Sequence, residues 1–252
     1  MPLPTSFDGR RVLVVGASSG IGRALAVGAA AAGGRVALAA RRLGLVEEAV
    51  KEIRAAGGEA RAWSCDVTDE AACTHLVAEA AAWMGGIDVV LYMSGSSPLV
   101  RVLDAPTSLW HEMLTTNVVG AAVIVRAAIE HLHAAEHPVV VVTTHSMGDP
   151  WPWLGVYGAT KAALAELARA LRSEEPDLRV LCVAVGSTAS SFADNWDPEV
   201  AGQAFEQWVA EGLLRYEVLQ CNEMADAILA AVLDPSSPDD VLIAGAEVQP
   251  TD

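Results

Sequence analysis

Short runs of consecutive apolar residues alternate with longer stretches in which apolar positions recur every three to four residues, from residue 11 almost to the C-terminus. The short runs, at 11–15, 35–39, 60–64, 88–92, 138–144, 178–184 and 240–243, read as strands. The longer stretches, near 21–32, 43–56, 68–83, 107–133, 156–173 and 222–233, read as helices, with Thr68 predicted as an N-cap ahead of Asp69 and Glu70. Runs such as Val12-Leu13-Val14-Val15 and Val139-Val140-Val141-Val142 are apolar throughout instead of alternating. Strands of that kind are buried on both faces, and the intervening helices supply the cover. The predicted class is a doubly wound α/β fold, a parallel sheet with helices on both faces.

The stretch 186–220 shows neither a clear strand nor a single helix, which inside a compact domain predicts a functional lid or an irregular helical flap. With 252 residues, 52% hydrophobic and 19% charged, the chain is expected to fold as one domain, 1–252, around a sizeable core. Much of the apolar share is alanine, which lets helices and strands approach closely.

Charge is unevenly placed. Of the 32 acidic residues 13 follow residue 185, where Arg215 is the single base. The net charge of −16 argues against a nucleic-acid or anionic-membrane partner, since both need clustered Lys and Arg. Cys65, Cys73, Cys182 and Cys221 are scattered, with no CxxC and no histidine at metal-ligand spacing. They read as reduced thiols of a cytoplasmic protein, and no metal site is expected. No targeting segment or uninterrupted apolar run long enough to cross a membrane is legible.

Two segments carry chemistry. The first strand runs into Gly16-Ala17-Ser18-Ser19-Gly20-Ile21-Gly22 and then a helix; glycines there let backbone come close to a pyrophosphate whose charge rests on the helix N-terminus. The second is Tyr157-Gly158-Ala159-Thr160-Lys161, in a chain with only three tyrosines and two lysines. At this composition coincidence supplies about 0.02 Tyr-x-x-x-Lys pairs per chain. On a helix the two side chains share a face, so the ammonium is expected to stabilise a phenolate and lower the tyrosine pKa.

With Asn117 in Asn117-Val118-Val119-Gly120, these segments resemble the short-chain dehydrogenase/reductase family in order and spacing, over roughly residues 10–191. The resemblance implies a Rossmann-type sheet of seven strands ordered 3-2-1-4-5-6-7 and a nicotinamide cofactor held by Gly16, Ser18, Ser19, Gly20, Ile21 and Gly22. It implies Tyr157 as general acid/base, Lys161 on the nicotinamide ribose holding the Tyr157 pKa down, and Asn117 anchoring a water in a proton relay. The family places a serine thirteen residues before the tyrosine, to hydrogen-bond the substrate oxygen. That position is Thr144 here, with Ser146 as the alternative and His145 between them expected to face away.

Asp66-Val67 resembles the family's adenine contact. Gly186, Thr188 and Ser190 correspond to its cofactor-facing turn after strand 6, Ser190 standing where the family has threonine near the carboxamide. The chain departs from the pattern after strand 4, where Asn-Asn-Ala-Gly reads Tyr92-Met93-Ser94-Gly95 and only Gly95 survives. It departs also at Val15, for threonine, and at Val185-Gly186, for Pro-Gly. These changes bear on local rigidity and cofactor affinity. At the end of strand 2 an acid would bond a ribose 2′-OH, whereas Arg41-Arg42 accommodate a 2′-phosphate, which favours NADP(H) over NAD(H).

The resulting expectation is an NADP(H)-dependent oxidoreductase interconverting a ketone or aldehyde with an alcohol. Trp151, Trp153, Phe192, Trp196 and Trp208 suit a partly apolar substrate or, equally, core packing. Asp194, Asp197, Glu199, Glu206, Glu211 and Glu217 favour a neutral or cationic substrate unless they simply face solvent. Ala159, Ala162, Ala163, Ala165, Ala168 and Ala170 line the Tyr157 helix, and a homodimer or homotetramer through it is expected. The alternative is a catalytically silent nucleotide-binding regulatory or scaffold protein of the same fold. A sugar-nucleotide epimerase fits poorly, because those relatives carry a larger C-terminal domain.

Overall fold

The computed structural model describes residues 6–145 and 150–247. Its strands are β1 (Arg11–Val15), β2 (Arg35–Ala40), β3 (Glu59–Ser64), β4 (Val89–Tyr92), β5 (Val139–His145), β6 (Arg179–Val185), the two-residue β7 (Thr188–Ala189) and β8 (Leu219–Gln220), and β9 (Asp240–Ile243). Its helices are α1 (Gly20–Ala31), α2 (Leu43–Ala55), α3 (Glu70–Met84), α4 (Thr107–Leu114), α5 (Gly120–His133), α6 (Gly155–Glu174), α7 (Pro198–Ala210) and α8 (Cys221–Leu233). Seven strands form one sheet in the order β3-β2-β1-β4-β5-β6-β9, all pairs parallel, and β7 and β8 pair separately. The expected doubly wound sheet is therefore present, and every strand-like run of the sequence is a strand.

The apolar strands divide their side chains between two cores. Val12, Val14, Val36, Leu38, Val89, Leu91 and Val141 pack with α1, α2 and α8, while Leu13, Val15, Val90, Val140 and Val142 pack with α3, α5 and α6. Each such valine or leucine removed from water contributes roughly 1.5–3 kcal/mol. Small residues set the spacing: a Cβ on Gly28 of α1 would lie 2.8 Å from Leu229 Cδ1 of α8.

Three local expectations are corrected. Asp69, not Thr68, caps α3, its carboxylate accepting from Ala72 N at 3.1 Å, and the Thr68 N–H and hydroxyl instead donate to Asp66 Oδ1. A carboxylate outcompetes a hydroxyl for the positive end of the helix. The run 107–133 is not one regular helix, because residues Thr115–Val119 form a π turn between α4 and α5. Length and apolar composition alone would let this run cross a membrane, yet here it packs against α3 and α6 and covers one face of the sheet.

The stretch 186–220 contains a full helix, α7, started by Asp197 as N-cap and Pro198 in its first turn. α7 buries Ala204 and Trp208 against Met113 of α4 and Leu154, Val156 and Tyr157 at the start of α6. It thereby roofs the C-terminal edge of the sheet with a third, smaller core.

Candidate active site

At the C-terminal edge, the chain leaves β1 at Gly16 with φ +96°, and a Cβ there would lie 2.6 Å from the backbone of Met93 and Ser94. Gly22 passes against the Gly16 carbonyl so closely that a side chain would collide with it. Ser19 stands at the N-cap of α1 without capping it, and no acid occupies the first turn, so the helix N-terminus is open to an anion. Ser19 Oγ instead lies 2.8 Å from Ser191 Oγ and accepts from Arg42 Nη2 at 3.0 Å; Ser18 Oγ accepts from the same nitrogen at 3.0 Å. A cation thus sits beside the glycine loop, with exposed Arg41 next to it. These residues form a cradle that fits a dinucleotide phosphate and that a side chain at Gly16 or Gly22 would fill.

The other expected cofactor residues are placed as follows. Asp66 follows β3, and its hydrogen bonds from Thr68, with help from the Arg41 charge, hold it below the usual carboxylate range. Val67 turns its side chain into the core beside α3. Ser190 lies over the loop, its Cβ 3.5 Å from where Gly20 would carry one, and Ile21 packs onto the first core. Thr188 Oγ1 donates to Gly186 O at 3.0 Å, and Gly186 is packed against Ala244 after β9. No sequence signal pointed to Ser191.

Asn117 lies in the π turn, fully buried. Its Oδ1 accepts from Ser96 N at 2.9 Å, while Nδ2 donates to Ser96 O at 3.1 Å and to Thr160 Oγ1 at 2.9 Å. The amide therefore clamps the loop after β4 to α6. Gly95 lies between Asn117 and Lys161: its Cβ position is 3.5 Å from Asn117 Oδ1 and 3.8 Å from Lys161 Nζ. Lys161 is buried; Nζ donates to Thr143 O at 2.8 Å and lies 5.6 Å from the Tyr157 ring centroid.

Against the expectation that Lys161 holds the Tyr157 pKa down, burial dominates both groups. Burial pushes Tyr157 up, and the same burial pushes Lys161 down to about 8. Both groups have lost water, so desolvation outweighs an ammonium that sits across the ring face and spends its charge on the Thr143 carbonyl.

At the end of β5 the placement of His145 differs from the expectation. Thr144 shares its sheet face with Val142 and Cys182, is 3% exposed, and sets its Oγ1 against the Cys182 thiol. His145, expected to face away, instead sets its ring edge-on to Tyr157, with centroids 5.8 Å apart, and to Trp151 at 5.6 Å. Thr144 keeps the strand face that α6 covers, while the His145 ring reaches Tyr157 from the other face at the very end of β5. Ser146 lies outside the described residues.

From Trp151 the aromatic contacts continue through Trp208, Trp196 and Phe192 and return to Tyr157, with neighbouring centroids 5.1–5.9 Å apart. The tyrosine is enclosed by an aromatic wall hung on α7. The six flap carboxylates are all exposed.

Residues 10–201, which include the glycine loop, Asn117, Tyr157 and Lys161, match the family model for short chain dehydrogenase. The chain belongs to the short-chain dehydrogenase family. It is 30% identical over 191 residues to Dehydrogenase/reductase SDR family member 4 of Bos taurus, covering 74% of this chain and 68% of that protein. It is 26% identical over 257 residues to Dehydrogenase/reductase SDR family member 11 of Homo sapiens, covering 96% of this chain and 95% of that protein. The alcohol dehydrogenase of Thermococcus sibiricus, solved with 5-hydroxy-NADP, superposes with a TM-score of 0.82 at 23% identity, over 96% of this chain and 99% of that one, and shares the fold. This short-chain dehydrogenase is an oxidoreductase whose fold binds a nicotinamide dinucleotide and whose family acts on small molecules.

Proposed function

We propose that the chain is an NADP(H)-dependent oxidoreductase that interconverts a neutral, partly apolar ketone or aldehyde with its alcohol, Tyr157 acting as general acid/base. The observation that carries this is the setting of Tyr157: its hydroxyl makes no hydrogen bond to any described residue, beside a buried ammonium and inside an aromatic wall. When bound, the dinucleotide supplies the hydride to the carbonyl carbon or takes it from the alcohol.

The chain's own residues do the rest. Burial keeps Tyr157 protonated at neutral pH, ready to give its proton to the carbonyl oxygen in reduction. Lys161 keeps its charge at pH 7 and stabilises the phenolate left behind; Asn117 holds the loop of Gly95 against α6, which sets the floor of the site. The Phe192, Trp196 and Trp208 wall excludes water and favours an apolar substituent. Because the flap carboxylates face solvent, where charges are screened within about 8 Å, the wall and not the flap charge selects the substrate.

Preference for NADP(H) is supported by Arg42, whose guanidinium is already held at the phosphate loop by Ser18 and Ser19. Ala159 and Ala162 are exposed on α6 and Ala168 faces the sheet, which supports self-association through the outer side of this helix in a cytoplasmic homodimer or homotetramer. A silent nucleotide-binding protein is the second reading, favoured by the departures at Tyr92-Met93-Ser94 after β4. A screen of NADPH and NADH against ketones, aldehydes and diketones separates them. The proposed function gives turnover, faster with NADPH; dinucleotide binding without turnover on any carbonyl supports the second reading.

A further inference from the structure

We propose that the imidazole of His145 hydrogen-bonds the substrate oxygen, taking the place that a hydroxyl near the end of β5 was expected to fill. The inference rests on the oxidoreductase reading above and adds a residue to it.

The geometry is specific. The His145 ring stands edge-on between Tyr157 and Trp151, at interplanar angles of 69° and 79°. Its Nε2 is buried and has no hydrogen-bond partner among the described residues. Buried polar atoms are normally satisfied, so an imidazole nitrogen left open beside a catalytic tyrosine asks for a ligand atom. Several neighbouring donors already make hydrogen bonds elsewhere. Trp196 Nε1 donates to Ser97 O at 2.6 Å, Trp208 Nε1 to Pro152 O at 2.9 Å, Trp153 Nε1 to Gln207 Oε1 at 3.1 Å, and Lys161 Nζ to Thr143 O. Thr144 Oγ1 lies against the Cys182 thiol under α6. A carbonyl oxygen inside the aromatic wall therefore meets the Tyr157 hydroxyl and His145 Nε2.

Burial, and then the Lys161 charge, lowers the His145 pKa from its ordinary 6.5, so the ring is neutral at pH 7. In its Nε2–H form it donates to the carbonyl oxygen and keeps its proton, while the proton that ends on the alcohol comes from Tyr157. Among the described residues the titratable groups facing it are Tyr157 and Lys161 of α6; Trp151, and Val185 opposite on β6, carry no charge. Protonation at acid pH puts a second cation beside Lys161 and should cost activity.

The test uses the full chain with NADPH and the carbonyl compound it reduces fastest, comparing wild type with His145→Phe, His145→Gln and Tyr157→Phe. His145→Phe keeps the ring contacts and removes the nitrogen; His145→Gln restores a donor that does not titrate. The expected result is a loss of about a hundredfold in kcat/KM for His145→Phe, carried by kcat, as for removal of an oxyanion donor. NADPH affinity by fluorescence titration stays unchanged, and His145→Gln recovers most of the rate while losing the acid limb of the pH profile. By NMR, the imidazole signal missing in His145→Gln should titrate below pH 6.5 in wild type and shift on addition of the carbonyl compound. Wild-type kcat/KM in His145→Phe, or an unchanged acid limb in His145→Gln, with Tyr157→Phe inactive, overturns the role of His145 alone. A fully active Tyr157→Phe overturns the reading on which it rests.

Discussion

Tyr92 occupies the first position of a segment that departs from the family pattern, and Tyr92→Phe removes a single oxygen without opening a cavity. The residue is 1% exposed, and its hydroxyl donates to the carbonyl of Thr116 at 2.6 Å, inside the π turn that presents Asn117. Burial pushes the phenol pKa up, so it is a neutral donor throughout the ordinary pH range. A neutral hydrogen bond contributes about 0.5–1.5 kcal/mol net, and leaving the partner carbonyl unsatisfied in a dry environment adds about 1 kcal/mol or more. The expected loss is about 2 kcal/mol. For a domain of this size that is about 4–8 °C in Tm, at roughly 2–4 °C per kcal/mol. Gly120, whose Cβ would lie 2.5 Å from the Tyr92 hydroxyl, shows how tightly the group is seated. Calorimetry or urea unfolding with an unchanged m-value reads the effect. A variant within about 0.5 kcal/mol of wild type, as for an ordinary surface substitution, refutes the reasoning, because the π turn then holds without this bond.

Arg42→Ala should weaken NADPH binding about tenfold or more and NADH little, since only the 2′-phosphate needs the guanidinium; equal losses by titration contradict the assignment. Gly22→Ala should abolish binding of either dinucleotide or unfold the turn, read by titration beside circular dichroism, because no Cβ fits beside the Gly16 carbonyl. At the other edge of the sheet, burial pushes Asp88 up, but hydrogen bonds from Arg11 N at 2.7 Å and Nε at 2.9 Å outweigh it and hold the carboxylate below its ordinary value. Its folded pKa is lower than its unfolded one, so its stabilisation is present above about pH 4 and is lost as pH falls through the folded value. In urea unfolding, the stability gap between wild type and Arg11→Met should be full at pH 6 and shrink below pH 4; a gap that widens in acid contradicts this.

The sheet was legible because Val and Leu runs buried on both faces leave one reading, and the glycine loop and the Tyr157–Lys161 pair because each residue type there has one physical use. α7 was missed although Asp197-Pro198 is a helix-start signal; Gly202 and the mixed polarity of 199–207 weakened its periodicity. The approach of His145 to Tyr157 was not legible, since spacing to Tyr157 counts residues without fixing how the end of β5 meets α6. Burial, a tertiary property that charge and spacing do not reveal, sets the direction of the Tyr157 pKa.

The most direct measurement is the rate of NADPH oxidation by Tyr157→Phe and wild type with the same carbonyl substrate, alongside the NADPH dissociation constant of each. Loss of the general acid should lower kcat by about 10²–10⁴ while dinucleotide affinity holds within about twofold. Turnover by Tyr157→Phe at the wild-type rate would contradict the account.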